Sequence, residues 1–322
     1  MPPQMDNNQQ NKLKNLLNRL HLHNTSVIFV FLACGFFLGL WATSLFFQFV
    51  SKQAANVPIP PSEVVEERHF ISPLIEADAA LVYDPNTQTV LYEKNATSTR
   101  VLASITKLMT ALIASPFVQE QPDKKVRVEQ EDLDTFGESG LVLGEIWKLS
   151  DLLSFTLVTS SNDGAMTIAK SLMPYDTFIK AMNEKSKEIG ADLKFTNPSG
   201  LDNPEETIAG ATGSAMGVAL LVADILRHYP QALEPTDLPE QTFTSVSGIQ
   251  HKAINTNKAI AEIPQLIGGK TGFTDLAGGN LAVVVNAGLN RPVIIVVLGS
   301  TIDGRFADTE ALASSTLQYF GS

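Results

Sequence analysis

A single cysteine, Cys34, in 322 residues excludes an intrachain disulfide and leaves no thiol nucleophile anywhere beyond it. Basic residues are also scarce. Lys and Arg number 23 against 34 Asp and Glu, a net charge of -11, so no cationic surface for a nucleic-acid backbone is expected and nucleic acid is set aside as a partner. Histidine is thin and scattered: His21, His23, His69, His228 and His251 do not make the clustered His and acid ligands that a zinc peptidase needs. No metal and no cofactor are expected.

What is present is the composition of a globular protein, 44% hydrophobic and 18% charged, with uneven patterning. Val27–Val50 carries no charge over about 24 residues, roughly 36 Å as a helix, enough to span a bilayer. A cleaved signal peptide is the rival reading, but its apolar core is usually about 7 to 15 residues, and "KQAANV" is a poor cleavage site. Lys12, Lys14 and Arg19 precede the run, while Glu63, Glu66 and Glu67 follow it. The positive-inside rule then puts residues 1–26 in the cytoplasm, 27–50 in the membrane as a single-pass anchor, and the bulk of the chain outside. Residues 51–74, rich in proline and acid, read as an extended tether, and 75–322 as the folded domain.

Within that domain, "ADAALVYD" and "TVLYEKN" flank "PNTQ" as a hairpin. The stretch from about 104 to 230 is helical, with Ser150 as an N-cap and the glycine ending "YDTFIKAMNEKSKEIG" as a C-cap. "GNLAVVVNAG" and "PVIIVVLGS" return to strands, and "RFADTEALASSTLQYF" suits a last amphipathic helix. The pattern predicts an α+β fold: one antiparallel sheet packed with helices, plus a helical subdomain.

Against this frame, "SITK" places Ser104 and Lys107 one helical turn apart on the same face, hydroxyl beside amine. By itself the triplet carries little, since roughly one S-x-x-K is expected by chance in such a chain. Ser160 and Asn162 in "TSSNDGA" lie between two predicted helices, and Lys270, Thr271 and Gly272 in "IGGKTGFT" lie beside a predicted strand. The order S-x-x-K, S-x-N, K-T-G is the motif set of penicillin-interacting serine enzymes, with Ser161 replacing the usual central Asp.

Longer blocks extend the match: "AALVYDPNTQTVLYEKNATSTRVLASITKLMTALIA", "LVLGEIWKLSDLLSFTLVTSSNDGAMTIA", "FTNPSGLDNPEE", "INTNKAI" and "IGGKTGFTDLAGGNLAVVV". Together they resemble the D-alanyl-D-alanine carboxypeptidases among the low-molecular-mass penicillin-binding proteins, over about residues 75–320. The resemblance implies a β-lactamase/transpeptidase-like fold, peptidoglycan stem peptides as substrate and β-lactam antibiotics as inhibitors. It implies Ser104 as nucleophile, Lys107 as base with its pKa lowered by burial or by the Lys270 charge, and Ser160 as proton relay. Asn162 would hold a substrate amide. The backbone N–H groups of Ser104 and Phe273 would form the oxyanion hole, and Lys270 and Thr271 would receive the terminal carboxylate beside Gly272.

The chain departs from the family pattern at Leu102, where proline commonly stands, and at Ile254, where a basic residue is common. It also stops about fifty residues after Lys270, so the N-terminal span is expected to replace the C-terminal anchor of many such enzymes. The departures bear on carboxypeptidase against D,D-endopeptidase specificity more than on the reaction. A β-lactamase of this fold would need a water-activating acid, for which only Glu205 and Glu206 offer themselves. A non-catalytic wall-binding scaffold would have no reason to retain every motif residue.

Overall fold

Strands with a side-chain period of two form the frame. In the computed structural model, which describes residues 7–54, 69–134, 140–203 and 208–321, β1 (Ala79–Asp84) and β2 (Thr89–Lys94) make the expected hairpin. β3 (Leu266–Thr274), β4 (Gly278–Asn286) and β5 (Pro292–Ser300) complete an antiparallel five-stranded sheet in the order β3-β4-β5-β1-β2. Alternation sends Leu81, Ala282, Val284, Ile294 and Val296 to one buried face, and Val82, Val283, Val285, Ile295 and Val297 to the other. Both faces are covered, so these runs are apolar almost throughout. That explains their β-branched composition.

Helices α1 (Lys107–Glu120), α2 (Leu149–Thr159), α3 (Asn162–Leu172), α4 (Tyr175–Glu188) and α5 (Ala215–His228) lie between the two halves of the sheet in sequence. α6 (Gly304–Phe320) follows β5, and its Leu312 and Ala313 pack on the face opposite to α1 and α5. A separate apolar cluster around Trp147, Leu152, Phe155 and Ile168 holds the helical subdomain. Gly190, with φ +70°, follows α4 as the expected left-handed cap. The cap at α2 differs from expectation: the helix begins at Leu149, and Ser150 instead donates its hydroxyl to Asp151. Sequence patterning did not anticipate two small antiparallel hairpins, Lys125–Arg127 with Ile146–Lys148 and Glu240–Thr244 with Gln250–Ile254.

The chain divides into Met1–Glu67 and Arg68–Ser322. The second unit begins before the expected Ile75, because Phe70 packs against Tyr92 and Tyr319. Among its described residues the first unit is the helix Asn7–Ala54, with Phe36, Phe37, Trp41, Phe46 and Phe47 exposed. Among the described residues no helix is long and apolar enough to cross a membrane. The expected span therefore is not found as such, and the side chains of its residues 27–33 lie outside the described residues. Most of the expected 51–74 tether lies outside them too.

Candidate active site

The nucleophile turn is a short 3-10 helix, Ala103–Thr106, running directly into α1. Ala103 enters it at φ +48°, a strained left-handed value for a residue with a Cβ. Surrounding bonds hold it there. Thr106 Oγ1 donates to Ala103 O at 2.7 Å, Leu102 N donates to Ala211 O at 3.0 Å, and Asn280 Nδ2 donates to Val101 O and Leu102 O at 2.9 and 3.1 Å. The turn is thus pinned on both sides, and Ser104 is left half-buried at its tip.

Lys107 is fully buried, and its Nζ lies 2.9 Å from Ser104 Oγ, 2.8 Å from Asn162 Oδ1 and 2.8 Å from the Ser199 carbonyl. Burial pulls its pKa down to about 7, against the nearby Asp163 charge, which raises it. A lysine at that value is substantially neutral near pH 7. In that state its two N–H groups fit the two carbonyl acceptors, and its lone pair faces Ser104, the one partner with a proton to give.

Ser160 closes α2 in a left-handed conformation, φ 61° and ψ 32°, which turns its hydroxyl away from the helix axis toward β3. Lys270 Nζ donates to Ser160 Oγ at 2.9 Å and to Thr271 O at 2.8 Å. Burial holds the Lys270 ammonium well below its ordinary pKa, and repulsion from Lys107 and Arg305 adds to the effect. Ser161 explains the departure from the usual Asp: it is the N-cap of α3, its Oγ accepting from Gly164 N at 2.8 Å, a role both residue types fill. Gly164 is required there, because a Cβ would stand 2.2 Å from Thr156 Oγ1.

β3 is an edge strand of the sheet. Gly269 N donates off that edge to Thr236 Oγ1 at 2.9 Å. Backbone N–H groups alternate along an antiparallel strand, so those of Thr271 and Phe273 face the same edge. This orients Phe273 N–H as the expected oxyanion donor. Gly272 lets the strand approach the nucleophile turn, since a Cβ on it would lie 2.8 Å from Leu102 O and 3.2 Å from Ile105 N.

The predicted site residues therefore come together, with two adjustments. Asn162 engages Lys107 through its amide oxygen, so it orients the base; the expectation gave it only a substrate amide. Burial, ahead of any charge, lowers Lys107. Three participants escaped the sequence reading. Thr256 Oγ1 is 2.6 Å from Thr271 Oγ1, Arg305 Nη1 donates to Gly272 O at 2.7 Å, and Ser199 supplies its carbonyl. Thr256 lay in the quoted "INTNKAI" and Ser199 in "FTNPSGLDNPEE", so position within a matched block was the available signal. Glu205 and Glu206 lie outside the described residues. Among the described residues no cluster of metal-ligating side chains occurs.

A sequence profile described as D-alanyl-D-alanine carboxypeptidase, peptidase S11, matches residues 66–301. D-alanyl-D-alanine carboxypeptidase DacF of Bacillus subtilis is 30% identical over 252 residues, which cover 76% of this chain and 63% of DacF. The D-alanyl-D-alanine endopeptidase of Escherichia coli is 30% identical over 258 residues, 75% of this chain and 78% of that protein. Among solved structures, ampicillin-bound penicillin-binding protein D2 of Listeria monocytogenes superposes with a TM-score of 0.67 at 31% identity, covering 76% of this chain and 99% of that one.

Proposed function

This chain belongs to the D-alanyl-D-alanine carboxypeptidase family, peptidase S11, and from that premise we propose that it removes the terminal D-Ala of peptidoglycan stem peptides through an acyl-enzyme on Ser104. The observation that carries the reading is the Ser104–Lys107 contact of 2.9 Å around a fully buried lysine.

Lys107 takes the Ser104 proton as Oγ attacks the carbonyl of the penultimate D-Ala. The oxyanion develops at the backbone N–H groups of Ser104 and Phe273. As the peptide bond breaks, Ser160, whose hydroxyl is held by the Lys270 Nζ donor, passes its proton to the leaving nitrogen and receives in turn the proton Lys107 took from Ser104, which returns Lys107 to the neutral amine. Water then cleaves the ester, again with Lys107 as base, and releases the shortened peptide. The Thr271 hydroxyl and the Lys270 amine favour a substrate with a free carboxylate, and the Arg305 guanidinium that donates to Gly272 O adds positive potential behind the strand.

A β-lactam presents a strained amide to the same Ser104 and forms a stable ester there. Incubation with penicillin followed by peptide mapping should find the adduct on Ser104; an adduct on Ser160, or none on folded protein, overturns the mechanism. The resemblance to a protein named an endopeptidase supports a second reading, cleavage of D-Ala cross-links, in which the leaving amine belongs to a neighbouring stem peptide and not to a terminal D-Ala.

Attachment to the membrane through Val27–Val50, with the catalytic unit outside the cell, is part of the same proposal. Its support is the uncharged run and the exposed aromatic residues between Phe36 and Phe49. Full-length protein should stay in the membrane fraction after a high-salt wash, and release by that wash would overturn this part.

A further inference from the structure

Two fixed acceptors orient Lys107. One is Asn162 Oδ1, on a motif residue; the other is the Ser199 carbonyl, on a loop outside every motif. A backbone carbonyl has no residue-type signal of its own, so the question is what aims it. The loop Asn197–Leu201 is wound around a single side chain. Asn197 Oδ1 accepts from Ser199 N at 3.2 Å, Ser199 Oγ at 3.0 Å and Gly200 N at 2.7 Å, while Asn197 Nδ2 donates to Leu201 O at 2.8 Å. The loop is also docked on the nucleophile turn. Thr110 Oγ1 of α1 donates to Pro198 O at 2.6 Å, and at Gly200, with φ +77°, a Cβ would lie 1.9 Å from Ala103 O.

We infer that Asn197 is a positioning residue for the general base: by fixing the Ser199 carbonyl on Lys107 Nζ, it directs the lysine lone pair at Ser104. The inference rests on the proposed acyl-enzyme mechanism. Without the Asn197 side chain, four bonds that shape the loop are lost. The Ser199 carbonyl then no longer restricts the amine, and the lone pair samples directions that miss the serine proton. The four bonds of the Asn197 side chain go to the loop itself and none to Lys270 or Thr271 on β3. The effect therefore falls on the acylation step and not on the preceding binding step. Misplacing a reacting group by about 1 Å costs about 100-fold, and partial retention by Asn162 places the expected loss at about 10- to 100-fold.

The test is stopped-flow acylation by a fluorescent penicillin, resolving the dissociation constant of the initial complex from the acylation rate constant. Asn197→Ala should lower the rate constant about 10- to 100-fold with the dissociation constant within about threefold. Asn197→Asp keeps the acceptor oxygen for Ser199 N, Ser199 Oγ and Gly200 N, and should recover most of the rate. An unchanged rate constant in Asn197→Ala overturns the inference, as does a loss shared equally between binding and acylation. If Asn197→Ala does not fold, Ser199→Ala takes its place. It removes only the hydroxyl bonds of the turn and should show a smaller loss, again confined to acylation; no loss there also overturns the inference. Failure of the unaltered protein to be acylated would instead remove the acyl-enzyme reading itself.

Discussion

The pH dependence of acylation follows directly from the state of Lys107. Its pKa of about 7 is a folded-state value depressed by burial, and in the proposed mechanism the neutral amine is the base while the ammonium is inactive. About nine-tenths of Lys107 is neutral at pH 8, about one-tenth at pH 6 and about one-hundredth at pH 5. The second-order acylation rate constant for a neutral β-lactam ester, whose own charge does not change, should fall about tenfold per pH unit below pH 6 and level off above pH 8. A lysine with an ordinary pKa would give a rate still rising tenfold per unit through pH 9. Linkage gives the same sign for stability. Between the folded value near 7 and the ordinary lysine value, the unfolded chain binds more protons, so this group makes unfolding harder as pH rises through that window. The assay is acylation of the full-length protein at a series of pH values, with folding checked by circular dichroism at each. A flat profile between pH 5 and 8, or a limb above pH 9, would refute the assignment of Lys107 as the base.

Further outcomes rest on neighbouring groups. Asp163→Asn removes the charge that raises Lys107, so the acidic limb should move to lower pH; movement to higher pH would show that Asp163 acts otherwise. Thr271→Val, read against peptides ending in D-Ala-D-Ala acid and amide, should erase most of the acid preference attributed to that hydroxyl. One hydrogen bond to a charged group contributes about 1.5 to 3 kcal/mol, about 10- to 150-fold in kcat/KM, and an undiminished preference counts against the carboxylate role. Gly272→Ala forces β3 away from the nucleophile turn and should reduce acylation at least about tenfold while also lowering the unfolding temperature. Acylation at the original rate would mean the strand and turn can separate without penalty.

The parts of this molecule legible in the sequence are those whose chemistry depends on side-chain type. Ser104, Lys107, Ser160, Asn162, Lys270 and Thr271 stood out through the order of their three motifs and the family resemblance that order carries, and the structure gathers them into two bonded groups, Lys107 with Ser104 and Asn162, and Lys270 with Ser160 and Thr271, at 2.8 to 2.9 Å. The sheet was legible in the same way: two-sided burial imposes unbroken β-branched runs such as those of β4 and β5. Roles played by the backbone were less so. Ser199 offers its carbonyl and Ala103 takes a left-handed turn that its residue type disfavours, neither with a residue-type signal, while the Phe273 N–H was expected only through the family resemblance, its direction resting on strand register. Arg305 was missed for another reason: it reaches Gly272 from α6, and only tertiary packing brings the two together. The cap of α2 failed because the helix starts a residue before the serine that local preference favoured.

The measurement closest to the central claim is mass analysis of purified pentapeptide muropeptides before and after incubation with the protein. The account predicts loss of one alanine from the free C-terminus, abolished by Ser104→Ala and by prior exposure to penicillin. Unchanged pentapeptide with correctly folded protein, or alanine release that survives Ser104→Ala, would contradict it.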